Sequence, residues 1–117
     1  MVDPASDRDA ALLLDMLIAA RDATGFLVGV NEIAFMDSRL HQNAVIRSLE
    51  VIGEAAGKVS EGFRAAHSEI AWREITGMRH RLIHGYADVS LDVVWEVVRD
   101  QLPSLVLALE PLMPELE

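Results

Sequence analysis

Apolar residues in this chain recur every three or four positions almost throughout, and nowhere do they alternate with polar ones as a half-buried strand requires. That period restricts the fold to packed helices. Leu13, Met16, Leu17, Ala20 and Thr24 form one stripe behind a Ser6-x-x-Asp9 cap, and Leu12, Leu14 and Ile18 add a second apolar flank. One neighbour would not cover so much apolar surface, so this helix is expected at the centre of the bundle or at a subunit interface. Gly25 and Gly29 interrupt the pattern, and Asn31 is placed to cap a short turn through Phe35. A long helix is expected from about Asp37 to Val59, with Leu40, Val45, Leu49, Ile52, Ala56 and Val59 on its core stripe. Gly53 lowers helix propensity within it but lets another backbone come close, which predicts tight helix packing there.

Gly57 and Ser60 loosen the chain, and a poorly patterned segment with Phe63 and His67 follows. Trp72 then opens a helix with Ile75, Met78 and Leu82 inward. Gly85 stands where a left-handed C-terminal cap would end it, which puts His84 in the last turn and Tyr86 just beyond. Ser90 is a natural N-cap for a final long helix carrying Val94, Val97, Val98, Leu102, Leu105, Leu109 and Leu112, with a bend expected at Pro103. The 117 residues suit one domain, 1–117, large enough to bury a core. The expected fold is an all-α antiparallel bundle of about five helices.

Composition narrows the function. There is no cysteine, hence no disulfide and no thiolate metal site, and the N-terminus lacks the basic region of a signal peptide. Acidic residues and Arg21 interrupt every apolar run before it reaches the roughly 18 residues of a membrane span. The expectation is a cytoplasmic protein. Its formal net charge is −9, yet no Asp or Glu occurs between Ile75 and Ala87. This acid-free window contains Arg79-His80-Arg81-Leu82-Ile83-His84-Gly85-Tyr86, a locally cationic stretch on a chain that otherwise repels anions.

The residue types in this stretch point to phosphate chemistry. His84 can take or give a proton near neutral pH, and Arg79 offers a planar fork of donors that keeps its charge at any working pH. Five residues turn an ideal helix by about 140° beyond a full turn, so Arg79 and His84 share a face only if the last turn distorts. Two such helices meeting across a dimer axis would let Arg79 of one chain and His84 of the other converge on one cleft. Arg73, His80 and Arg81 are second-line candidates for catalysis or phosphate binding.

The pattern Arg79-x4-His84-x-Tyr86 resembles the signature of HepT-like toxins in the HEPN superfamily. Gln42-Asn43-Ala44-Val45, Ile52-Gly53-Glu54-Ala55, Trp72-Arg73-Glu74-Ile75 and Val93-Val94-Trp95 resemble family landmarks in the expected order. The resemblance implies a homodimeric HEPN-like helical bundle acting as a metal-independent ribonuclease on RNA such as tRNA or mRNA, with Arg79 and His84 at the cleavage site and no cofactor. It further implies a toxin paired with a minimal nucleotidyltransferase antitoxin, in a type VII-like system where AMP is transferred onto Tyr86. One departure is His80, where the family often has asparagine.

Two other readings bear on the same residues. His80 and His84 have the i,i+4 spacing of helical zinc pairs, with His41, His67 or Asp88 as a third ligand, but no HExxH pattern accompanies them. The acidic composition, with a sequence pI of about 4.8, suits a HEPN-type module that binds a nucleotide or partner without cutting RNA. Trp72 and Trp95 are expected as core anchors, and His41 and His67 as hydrogen-bonding residues.

Overall fold

The computed structural model describes residues 4–84 and 90–113, with side chains described for 7–83 and 90–113. Every regular element among them is helical: α1 (Pro4–Phe26), α2 (Glu32–Met36), α3 (Arg39–Lys58), α4 (Glu61–Ala66), α5 (Trp72–His84), α6 (Leu91–Glu96) and α7 (Leu102–Leu109). A π-helical turn, Val97–Gln101, joins α6 to α7, and a 3-10 turn, Glu110–Leu112, follows. The all-α expectation is met.

α1 and α3 form the central pair and run antiparallel, since Asp9 near the start of α1 reaches Ser60 just past the end of α3. α5 lies antiparallel on the other side of α3, where Gly53 meets Arg79 and Gly57 meets Thr76. The C-terminal helical run packs back on α1 and carries an Arg21–Glu110 ion pair at 2.9 Å. Leu13, Met16 and Leu17 of α1 interlock with Val45, Leu49 and Ile52 of α3 and with Val94, Leu102 and Leu109 in one core. No described helix is long and apolar enough to cross a membrane.

The caps explain the boundaries. Asn31 Oδ1 accepts from the Ala34 N–H at 2.8 Å to start α2, and Ser38 Oγ accepts from the His41 N–H to start α3. Gln42 donates to the Phe35 and Met36 carbonyls, satisfying the C-terminal end of the five-residue α2. Ser90 caps α6 through the Asp92 N–H. Near Pro103 the expected disturbance takes the form of the π turn, where the Leu102 N–H donates to Val97 O five residues back. A proline lacks an N–H and its ring crowds the carbonyl four residues earlier, so widening the preceding turn relieves the conflict without ending the helix.

Three local expectations change. α1 already begins at Pro4, so Ser6-x-x-Asp9 is not its cap. Asp9 is instead 8% exposed, and its carboxylate accepts from the Ser60 N–H (3.0 Å) and hydroxyl (2.6 Å). Ser60 Oγ in turn accepts from the Phe63 N–H, which caps α4 in the segment that looked unpatterned. Leu40, expected on the core stripe, is 76% exposed because it sits in the first turn of α3, before that helix meets α1 fully; Ile46 is buried instead.

Asp9→Ala leaves two donors of Ser60 unanswered at a half-buried joint. It should lower unfolding free energy by about 1–3 kcal/mol in urea titrations, whereas Leu40→Ala should stay within about 0.5 kcal/mol of the parent.

Candidate functional site

The sequence of α5 divides its surface. Leu82 is buried and Ile75 and Met78 are half-buried against the core, so the inward face is the one expected. Arg79 lies on that same side, over α3. A Cβ placed on Gly53 would collide with the Arg79 Cβ and would stand 3.0 Å from its Cγ and 3.1 Å from Ile75 O. Glycine at 53 is therefore what lets the arginine stem lie flat on α3. The residue is half-buried, and its Nε is shut off from solvent with no acceptor among the described residues. An arginine held this way has its stem fixed and its terminal donors left to act.

α5 stays helical through His84. The distortion that would bring Arg79 and His84 onto one face is absent, and their positions remain about 140° apart around the axis. The His84 side chain and residues 85–89, with the Gly85 cap, Tyr86 and Asp88, lie outside the described residues. Arg73, His80 and Arg81 are all exposed on α5, away from the Gly53 contact. Arg81 reaches Met78 Sδ at 3.9 Å.

Charge is distributed unevenly. Arg21, Arg47 and Lys58 pair with Glu110, Glu50 and Glu54. No described carboxylate pairs with Arg64, Arg73, Arg79 or Arg81. A helix C-terminus carries about half a negative charge, which disfavours a phosphate; the full charges of Arg79 and Arg81 in the closing turns of α5 reverse that field. Among the described residues no three His, Asp or Glu side chains group as metal ligands.

The remaining candidates have structural partners. His67 stacks on Phe63 with ring centroids 4.2 Å apart and meets Glu69 at 3.3 Å, while His41 Nδ1 lies 2.6 Å from Ser38 Oγ. Trp72 and Trp95 are buried anchors, as expected: Trp72 Nε1 donates to His67 O, and Trp95 packs on Phe35. Arg64 of α4 was not singled out by the sequence, yet its buried Nε also lacks an acceptor among the described residues. Its only sequence signal was a cation in a weakly patterned segment.

The comparison with protein families matches residues 16–112 to the ribonuclease HepT-like family. The chain belongs to that family. The match bears out the family resemblance of the signature, and it spans α3 and α5, which carry the Gly53–Arg79 contact. Among the relatives, "Probable ribonuclease HepT" of Thermococcus cleftensis is 45% identical over 71 residues, covering 61% of this chain and 64% of the relative. A Methanocaldococcus jannaschii protein named "Putative RNase MJ1380" is 34% identical over 101 residues, 86% of this chain and 93% of the relative. No solved structure matches the chain.

The close approach at Gly53 predicts opposite effects for one substitution at two helical glycines. Gly53→Ala should cost about 1–3 kcal/mol, as overpacking does, and displace α5. Gly77→Ala, with nothing within 4 Å of the new methyl, should stabilise by about 0.5–1 kcal/mol through helix propensity. Urea unfolding of both variants checks this.

Proposed function

We propose that the chain is a metal-independent ribonuclease, the toxin of a toxin–antitoxin pair, working as a homodimer in the cytoplasm. The observation that carries the reading is Arg79, clamped by its stem against Gly53 and five residues ahead of the helix-terminal His84, in a chain of the HepT-like family. Because α5 is undistorted, the positions of Arg79 and His84 in one chain lie about 140° apart around the helix, and a cleft built from two chains supplies both groups to one phosphate.

The chemistry follows from the side chains. A ribose 2′-hydroxyl attacks the adjacent phosphorus, forming a P–O bond as the P–O5′ bond breaks. The two His84 imidazoles of a dimer act as base and acid: one accepts the 2′-hydroxyl proton and the other gives a proton to the departing 5′-oxygen. Arg79 donates to the nonbridging oxygens, where charge grows in the transition state. The products are a 2′,3′-cyclic phosphate and a 5′-hydroxyl end, with no metal required. Tyr86, two residues past His84, offers a phenol to which a nucleotidyltransferase antitoxin transfers AMP; the added phosphate and bulk would then occupy the place of substrate.

Arg79→Ala and His84→Ala should each reduce RNA cleavage by about 10²- to 10³-fold, the usual effect of losing one transition-state partner, and EDTA should leave the parent rate unchanged. Full activity in either variant refutes the assignment of that residue. Coexpression with the cognate nucleotidyltransferase should add AMP masses that Tyr86→Phe abolishes; an unmodified chain that cuts no RNA would favour a binding module instead.

A further inference from the structure

Beside α5 two shallow depressions meet end to end. One, about 490 Å³, is lined by Glu61, Arg64, Ala65, Trp72, Arg73 and Thr76. The other is lined by Arg73, Glu74, Thr76, Gly77, Met78, His80 and Arg81. Arg73 and Thr76 belong to both, so the two form one trough from α4 along α5. Arg73, Gly77, His80 and His84 follow at intervals of four, three and four residues, which is a single stripe on a helix. The trough therefore runs toward the end of α5 where His84 stands, one turn beyond His80.

The trough gathers three arginines on a chain that is acidic overall. The protein has 19 acidic residues and 10 basic ones, so a cation here has nearly two carboxylates from which to find a partner. Arg64, Arg73 and Arg81 have none among the described residues, although Glu61 and Glu74 line the same trough. Arg8, Arg39 and Arg99 also lack a described carboxylate, but each stands on a different element and none lines this trough. The buried Nε of Arg64 has no acceptor among the described residues, so its terminal N–H groups carry whatever contact that arginine makes there. Arginines left unpaired along a concave path are suited to a run of phosphates, which each guanidinium can bind through two parallel donors.

We propose that this trough is the path of the RNA backbone, with Arg64 and Arg73 holding phosphates remote from the scissile bond and Arg81 holding one nearer to it. The inference rests on the ribonuclease reading above and names residues that bind substrate without taking part in bond cleavage. From Arg73 to His84 the helix rises about 16 Å, so a strand held at Arg73 reaches the active end several nucleotides later.

The test is the salt dependence of binding. A fluorescein-labelled single-stranded oligoribonucleotide is titrated by anisotropy against the His84→Ala chain, whose cleavage is slowed by about 10²- to 10³-fold, and against the same chain carrying Arg64→Gln or Arg73→Gln. Releasing one phosphate from its arginine should lower the magnitude of the log Kd against log salt slope by about 0.7. Arg64→Lys should restore most of it, and Arg21→Gln, which removes the same charge from the α1 surface, should not change it. In the otherwise unaltered chain both glutamine variants should raise KM and leave kcat in place. A slope unaffected by Arg73→Gln, an exposed position where folding is not at risk, would overturn the proposal, as would an equal effect from Arg21→Gln or no binding by the parent. Cleavage by the unaltered chain, measured separately, shows whether the ribonuclease reading stands when the trough does not.

Discussion

The approach of α3 to α5 at Gly53 is the constraint on which the candidate site depends. A methyl group there would have to occupy the space of the Arg79 stem, and Ile75 O lies behind it as fixed backbone that cannot turn aside. Helix packing and the placement of the proposed phosphate ligand are thus one interaction. Burial of Leu82 and Ile52 draws the helices together, and glycine turns that attraction into contact with an arginine instead of a gap. An arginine on a free helix surface would sample many rotamers; this one has given up its stem freedom during folding, so less remains to be lost when a phosphate arrives.

Much of this was legible in the sequence, for physical reasons that differ from element to element. α1, α3 and α5 declared themselves because each buries a stripe at the helical period, and Asn31 and Ser90 because a cap acts within three residues of itself. Gly53 was readable as a close approach, though not as an approach to Arg79. What could not be read depended on partners distant in sequence: Asp9 finds Ser60 across 51 residues, and Leu40 is exposed because α3 outruns its neighbour at that end. α4 has six residues and no stripe to betray it, so Arg64 stayed hidden until the fold placed α4 beside α5.

The angle between Arg79 and His84 was also legible, and the structure leaves it uncorrected. A five-residue spacing on an intact helix points the two positions apart, so a single chain presents an incomplete pair. Symmetry offers a direct remedy: a twofold axis beside the end of α5 would bring one chain's arginine toward the other's histidine and double the histidines available for paired proton transfer. In the proposed enzyme, the spacing that looks unfavourable within one chain becomes the spacing that makes the dimer obligatory for chemistry.

The charge pattern extends this logic to the substrate. A chain of net charge −9 repels RNA at long range, and at physiological salt that repulsion is screened within about 8 Å. Only cations close to the strand then count. Arg8, Arg39 and Arg99 stand on separate elements, whereas α4 and α5 together carry four arginines without a described carboxylate partner. In the proposed enzyme the strand is held where Arg64, Arg73 and Arg81 line one trough. Acidity, which weakens generic binding, would in the proposed enzyme favour the path that leads to His84.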